Sequence, residues 1–128
     1  MIERIAKQTL LRLAQQFPVV AVTGPRQSGK STLVQETFPD KRYVTMDDSS
    51  ARELASSSPR DFLRAFKDGV IIDEAQKVPE LFDALKLIVD KDEYTPGKYI
   101  LTGSSQFKLK KNIKESLSGR IGIVNLLP

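Results

Sequence analysis

Two short stretches carry side chains whose types and spacing could do chemistry together. One is "GPRQSGKST", Gly24 to Thr32, which follows the apolar run Val19-Val20-Ala21-Val22. The other is Asp73-Glu74, which follows Val70-Ile71-Ile72. Gly24, Pro25, Arg26, Gln27, Ser28, Gly29, Lys30 and Ser31 satisfy the pattern G-x-x-x-x-G-K-[ST]. Glycine at 24 and 29 permits backbone angles that a side chain would obstruct. Successive N–H groups can then face inward at a helix N-terminus, whose partial positive charge suits an anion. Lys30 adds a mobile cation for β- and γ-phosphates, Ser31 is sized to ligate Mg²⁺, and Thr32 falls near the α-phosphate end. A Gly/Ser-rich loop with an exposed lysine is the plain alternative. An apolar strand before the stretch and a helix after it favour a mould for triphosphate.

Ligands of parallel sheets bind outside the carboxyl ends of the strands. Asp73 therefore belongs beside the Mg²⁺ that Ser31 holds, through water. Glu74 can orient and deprotonate a water for attack on the γ-phosphorus. A solvated acidic pair opening a turn is the alternative, and the phosphate loop weighs against it. A water-activating Glu favours hydrolysis over phosphoryl transfer to a small substrate. The guanine-reading pattern N-K-x-D is missing, since "VDKD" at 89–92 lacks the Asn.

Two further places are candidates. "YILTGSS" ends an apolar run in Thr102, Gly103, Ser104 and Ser105. Ser104 can sense phosphate or hold the attacking water if this strand lies between those bearing the loop and the acidic pair. Thr102 is the second choice, and Ser105 suits a helix cap. Arg120 precedes the last apolar run. It reads equally as a group that stabilises transferring phosphate charge and as a surface arginine at a helix end.

The elements that must position these residues follow from periodicity. Ile2, Ile5, Ala6, Leu10, Leu13 and Phe17 mark an amphipathic helix closed by Pro18. Strands are expected at 19–23, 42–46, 69–72, 99–102 and 121–127. Helices are expected at 29–38, in two pieces over 51–66 broken at "SSSPRD", and after Pro79, where Leu81, Phe82, Leu85, Ile88 and Val89 share a face. "TPGK" reads as a turn, and Ser116 to Arg120 ends a basic helix. Alternating strands and helices predict an α/β fold, a parallel sheet with helices on both faces.

Composition bounds the function. The chain has 128 residues, 40% hydrophobic and 28% charged, an ordinary globular balance for one domain. It contains no Cys and no His, so disulfide, thiol and usual zinc chemistry are excluded, and acid–base work falls to other side chains. No run reaches the roughly 20 apolar residues of a membrane span, and no signal peptide is read, so a cytoplasmic location is expected. The net charge of +4 comes from scattered basic residues and reads as a mildly basic surface. "KLKKNIK" (Lys108 to Lys114) reads as a solvated helix face.

Together "VVAVTGPRQSGKSTL", "GVIIDEAQKVPEL", "YILTGSSQF" and "SLSGRI" resemble the nucleotide domain of AAA+ ATPases related to archaeal ATPases. The first two motifs mark P-loop ATPases broadly, and the combination is more specific. The resemblance covers nearly the whole chain. It implies a three-layer αβα P-loop sandwich with a five-stranded parallel sheet, the first strand central and the strand bearing Asp73 flanking two others. It implies an ATP-binding AAA+ core over 1–128, with ATP and Mg²⁺ bound. It implies the Walker roles given above for Lys30, Ser31, Asp73 and Glu74, a sensor role for Ser104, and action of Arg120 on a neighbour's nucleotide in a homo-oligomer. Gln76 and Arg26 also match family positions, without an assigned role. The family's helical lid and C-terminal domain lie outside these residues, so weak hydrolysis by this stretch alone is expected. The function expected is ATP hydrolysis driving a conformational change in a larger protein; a nucleic acid or protein target is compatible with this, and the sequence singles out neither. The alternatives are a slow nucleotide-dependent switch and, further off, a P-loop kinase.

Overall fold

The structure, a computed structural model, describes all residues except 1, 26–27, 92–94, 105 and 127–128, and the side chains of 2, 3 and 106–108. Five strands, β1 (Val19–Thr23), β2 (Arg42–Thr45), β3 (Val70–Asp73), β4 (Tyr99–Gly103) and β5 (Ile121–Asn125), form one sheet in the order β2-β3-β4-β1-β5. Every pairing is parallel. The helices are α1 (Ile2–Gln16), α2 (Lys30–Thr37), α3 (Ser49–Ser57), α4 (Pro59–Arg64), α5 (Glu80–Lys91) and α6 (Gln106–Asn112). A 3₁₀ turn at Ala75–Lys77 follows β3, and a π-helical turn at Ile113–Leu117 extends α6.

The strands of the middle read as continuous apolar runs because both faces are covered. Along β1 the alternation is clean. Val20 and Val22 join Ala6, Leu10, Leu33, Val34, Ile71 and Ile100 under α1 and α2. Val19 and Ala21 join Leu63, Ile72, Phe82, Leu85, Leu101 and Leu109 under the helices of the other face. The result is the expected three-layer arrangement. Each fully buried Leu, Ile or Phe in these layers contributes about 1.5–3 kcal/mol relative to an exposed position.

Two details of the expected architecture change. The middle strand is β4, with β1 beside it, so β1 is interior but not central. Gly69 lies outside β3. It occupies a positive-φ turn (φ 98°), and the strand runs one residue further, through Asp73. The break at Ser58-Pro59 is as expected, with Pro59 opening α4, where its missing N–H costs nothing. The expected strand end at Leu127 lies outside the described residues, and β5 ends at Asn125.

Candidate active site

The period-two alternation of a strand sets which way Asp73 points. Ile71 packs against the layer beneath α1 and α2, so Asp73, two residues on, belongs to the same face. There it accepts three hydroxyl hydrogen bonds. Ser31 Oγ of α2 donates to Oδ1 at 3.2 Å, Thr102 Oγ1 of β4 donates to Oδ1 at 2.6 Å, and Thr45 Oγ1 of β2 donates to Oδ2 at 2.8 Å. Thr45 stands directly opposite Asp73 in the parallel register. The carboxylate, 7% exposed, is thus fixed from three elements at the carboxyl ends of adjacent strands.

Glu74 is built differently. It is the one non-glycine residue at positive φ among those described, at φ 55° and ψ 45°. A side chain there costs about 1–2 kcal/mol. Such strain concentrates at functional positions. The conformation turns the chain out of β3 into the 3₁₀ turn and leaves the Glu74 side chain buried. Its Oε2 accepts from Ser104 Oγ at 2.7 Å and from Gln76 Nε2 at 2.8 Å, and its Oε1 lies 3.9 Å from Lys30 Nζ. The phosphate loop, the acidic pair and the tip of β4 therefore meet at one carboxylate.

The loop itself has the features of an anion cradle. A Cβ at Gly24 would lie 2.9 Å from Ser28 Oγ and 3.1 Å from the Leu126 carbonyl, so the backbone passes where only glycine fits. Gly29 takes the left-handed conformation (φ 83°) and leads directly into α2, whose N-terminus no described side chain caps. Ser28 Oγ is buried with no hydrogen-bond partner among the described residues. A buried orphan hydroxyl calls for an explanation. A phosphate oxygen in the loop supplies one. Lys30, 6% exposed, aims its amine into the same region. The donor set also suits Mg²⁺, which takes one or two protein oxygens and leaves the rest to phosphate and water. Ser31 and Asp73 are such oxygens, already 3.2 Å apart. Thr32 lies one residue further along α2. Arg26, Gln27 and Ser105 lie outside the described residues, and Pro25 is exposed at the loop's entry.

Two residues near the site, Thr45 and Tyr43, were not expected from the sequence, and a third, Gln76, matched a family position without an assigned role. Thr45 closes the ring around Asp73. Gln76 reaches Glu74 two residues back in the chain. Tyr43, on the same face of β2 as Thr45, has its phenol pKa raised by partial burial; a hydrogen bond with Ser31 opposes this, and the charge of Asp73 adds to it. The only signal for Tyr43 and Thr45 was their alternation at a strand end.

Arg120 does not join the cluster. Its Nε and Nη2 hold the two carboxylate oxygens of Asp90 at 2.6 and 3.1 Å, and its Nη1 donates to the Ser118 carbonyl at 3.1 Å. The hydrogen bond from Arg120 holds the exposed Asp90 carboxyl below its ordinary pKa. Ile121 pairs with Val19, so Arg120 lies at the amino end of the sheet, whereas the loop leaves β1 at Thr23. At about 3.3 Å per residue, the length of β1 separates the two by roughly 13 Å or more.

Comparison with known proteins bears on the family and the fold. A family model described as an AAA domain matches residues 16–128. Uncharacterised proteins of Mycobacterium bovis and Mycobacterium tuberculosis are each 36% identical over 126 residues, covering 96% of this chain. The chain spans only 28% of the length of these relatives. Among solved structures, a Walker-type ATPase of Pyrococcus abyssi superposes with a TM-score of 0.65 at 20% identity, over 95% of this chain and 52% of that one. A DNA replication initiation factor gives 0.56 at 16% identity, over 96% of this chain and 44% of that one. At these identities the likeness is one of fold. Among the described residues, no helix is long and apolar enough to cross a membrane.

Proposed function

This chain belongs to the AAA family, related to the archaeal ATPases, and we propose that it binds ATP with Mg²⁺ and hydrolyses it to ADP and phosphate, driving a conformational change in a longer protein. The observation that carries this reading is the buried Glu74 carboxylate, reached from the loop by Lys30 and from β4 by Ser104. In this reading the N–H groups between Gly24 and Thr32 hold the phosphates, and Lys30 places its charge on the β- and γ-phosphates. Ser31 and Asp73 hold Mg²⁺, which neutralises phosphate charge when bound. Thr45 and Thr102 keep Asp73 oriented toward α2. Glu74 takes the proton of the attacking water. Ser104 has one hydroxyl proton and now gives it to Glu74; with ATP bound it gives it to the γ-phosphate.

One observation favours slow turnover. Glu74 Oε2 already accepts from Ser104 and Gln76, so a water meets the base at Oε1, beside the Lys30 amine, or at Oε2 once Ser104 turns away. A nucleotide-dependent switch that hydrolyses slowly is therefore the second reading. Calorimetric titration separates both from a GTP-specific protein. Mg²⁺–ATP is expected to bind saturably, with GTP competing at only modestly weaker affinity, since the guanine-reading pattern N-K-x-D is missing from this sequence. A strong preference for GTP would contradict the reading.

Arg120 fits a role in trans. From the amino end of the sheet it cannot reach its own loop, whereas a neighbour's loop is reachable across an interface of a homo-oligomer. An arginine supplied this way can raise the rate about 10³–10⁵-fold. Mixing full-length Arg120→Ala and Lys30→Ala chains is expected to restore part of the activity that each lacks alone. Co-assembled mixtures that remain inactive would leave Arg120 as a surface partner of Asp90.

A further inference from the structure

Gln76 has no part in the mechanism above, yet it is nine-tenths buried beside the base. Its Nε2 donates to Glu74 Oε2 at 2.8 Å, which fixes the orientation of the amide: turned over, it would set oxygen against oxygen. Its Oε1 is then buried with no hydrogen-bond partner among the described residues. A buried amide that is half satisfied is disfavoured relative to an apolar side chain of similar shape. The half that is satisfied is the half that touches Glu74. The amide is also wedged in place. A Cβ on Gly103 would fall 2.6 Å from Gln76 Oε1 and 2.9 Å from Leu109 Cδ2, so any larger residue at the end of β4 would push the amide out of its present position.

Ser104 and Gln76 hold the same carboxylate oxygen, but they differ in freedom. Ser104 stands half-exposed at the tip of β4, whereas Gln76 is locked in the 3₁₀ turn. We infer that Gln76 is a positioning residue for the hydrolytic base. It keeps the Glu74 carboxylate in place when the Ser104 proton turns to the γ-phosphate, so that phosphate sensing frees the base without letting it swing away. This inference rests on the hydrolytic reading above.

The test compares full-length wild type, Gln76→Met, Gly103→Ala and Glu74→Gln in ATP binding by calorimetry and in steady-state phosphate release. Gln76→Met keeps the length and removes the donor. Gly103→Ala leaves the glutamine in the sequence and pushes its amide aside. Both are expected to lower kcat about 10²-fold, the cost of misplacing a reacting group by about 1 Å, with ATP affinity and KM within about twofold of wild type. In the Glu74→Gln background, Gln76→Met is expected to cost nothing further, because it acts through the missing base. Retained affinity also shows that the variants fold. A wild-type kcat in Gln76→Met, a loss confined to ATP affinity, or a full additional loss in the Glu74→Gln background would each overturn the inference. If wild type binds ATP and releases no phosphate, hydrolysis itself fails and the role of Gln76 falls with it. Wild-type turnover alongside an unimpaired Gln76→Met would remove only the role of Gln76.

Discussion

Replacing Glu74 by Gln is expected to leave ATP bound while hydrolysis falls about 10²–10⁴-fold, the usual contribution of a positioned general base. The two groups are nearly isosteric, so the left-handed backbone at position 74 and the contact from Ser104 have no steric reason to change. What disappears is the charge that accepts the proton of water. Because Lys30 then faces a neutral amide rather than a carboxylate, its cation is freed entirely for phosphate, and affinity is expected to hold or rise slightly. Single-turnover measurement with bound nucleotide reads the loss directly. Turnover at the wild-type rate would mean that another group activates water.

Lys30→Ala is expected to act on the other limb of the cycle, weakening Mg²⁺–ATP binding about 10²–10³-fold. That range corresponds to truncating one partner of a buried, hydrogen-bonded charge pair, about 2–5 kcal/mol, at about 1.4 kcal/mol per factor of ten. Lys30 is 6% exposed and its charged neighbour is Glu74, so among the described residues no second cation stands ready to replace it. The variant also leaves the Glu74 carboxylate to Ser104 and Gln76 alone, yet both hydrogen bonds persist and the fold is expected to survive. Calorimetry reads the affinity and circular dichroism reads the fold. Unchanged affinity would detach the loop from phosphate binding.

The sequence and the structure part company where contacts cross between strands. The runs of β1, β3 and β4 were legible because burial on both faces demands continuous apolar residues, and their polar exits mark the carboxyl ends. At β2, an edge strand with exposed Arg42 and Tyr43, the signal was weaker, although the strand itself was found. Thr45 could not be tied to Asp73 from the sequence, because their contact depends on the register of β2 against β3, which no local pattern encodes. The Gln76 contact spans only two residues, but it needs Glu74 at positive φ, and Glu has no preference for that region. The Arg120–Asp90 pair joins the end of α5 to the start of β5 across 30 residues, again a product of packing rather than of local pattern. The π-helical turn before it was read as ordinary helix end, since its apolar residues Ile113 and Leu117 keep helical spacing.

The central claim is that the groups gathered around Asp73 and Glu74 hydrolyse ATP with Mg²⁺. Phosphate released from ATP by the full-length protein, measured in Mg²⁺ and again in excess EDTA, tests it most directly. The account predicts steady release in Mg²⁺ that stops on chelation and is lost in Glu74→Gln. Release that continues unchanged in EDTA, or a protein that binds Mg²⁺–ATP and releases no phosphate at any concentration, would contradict it.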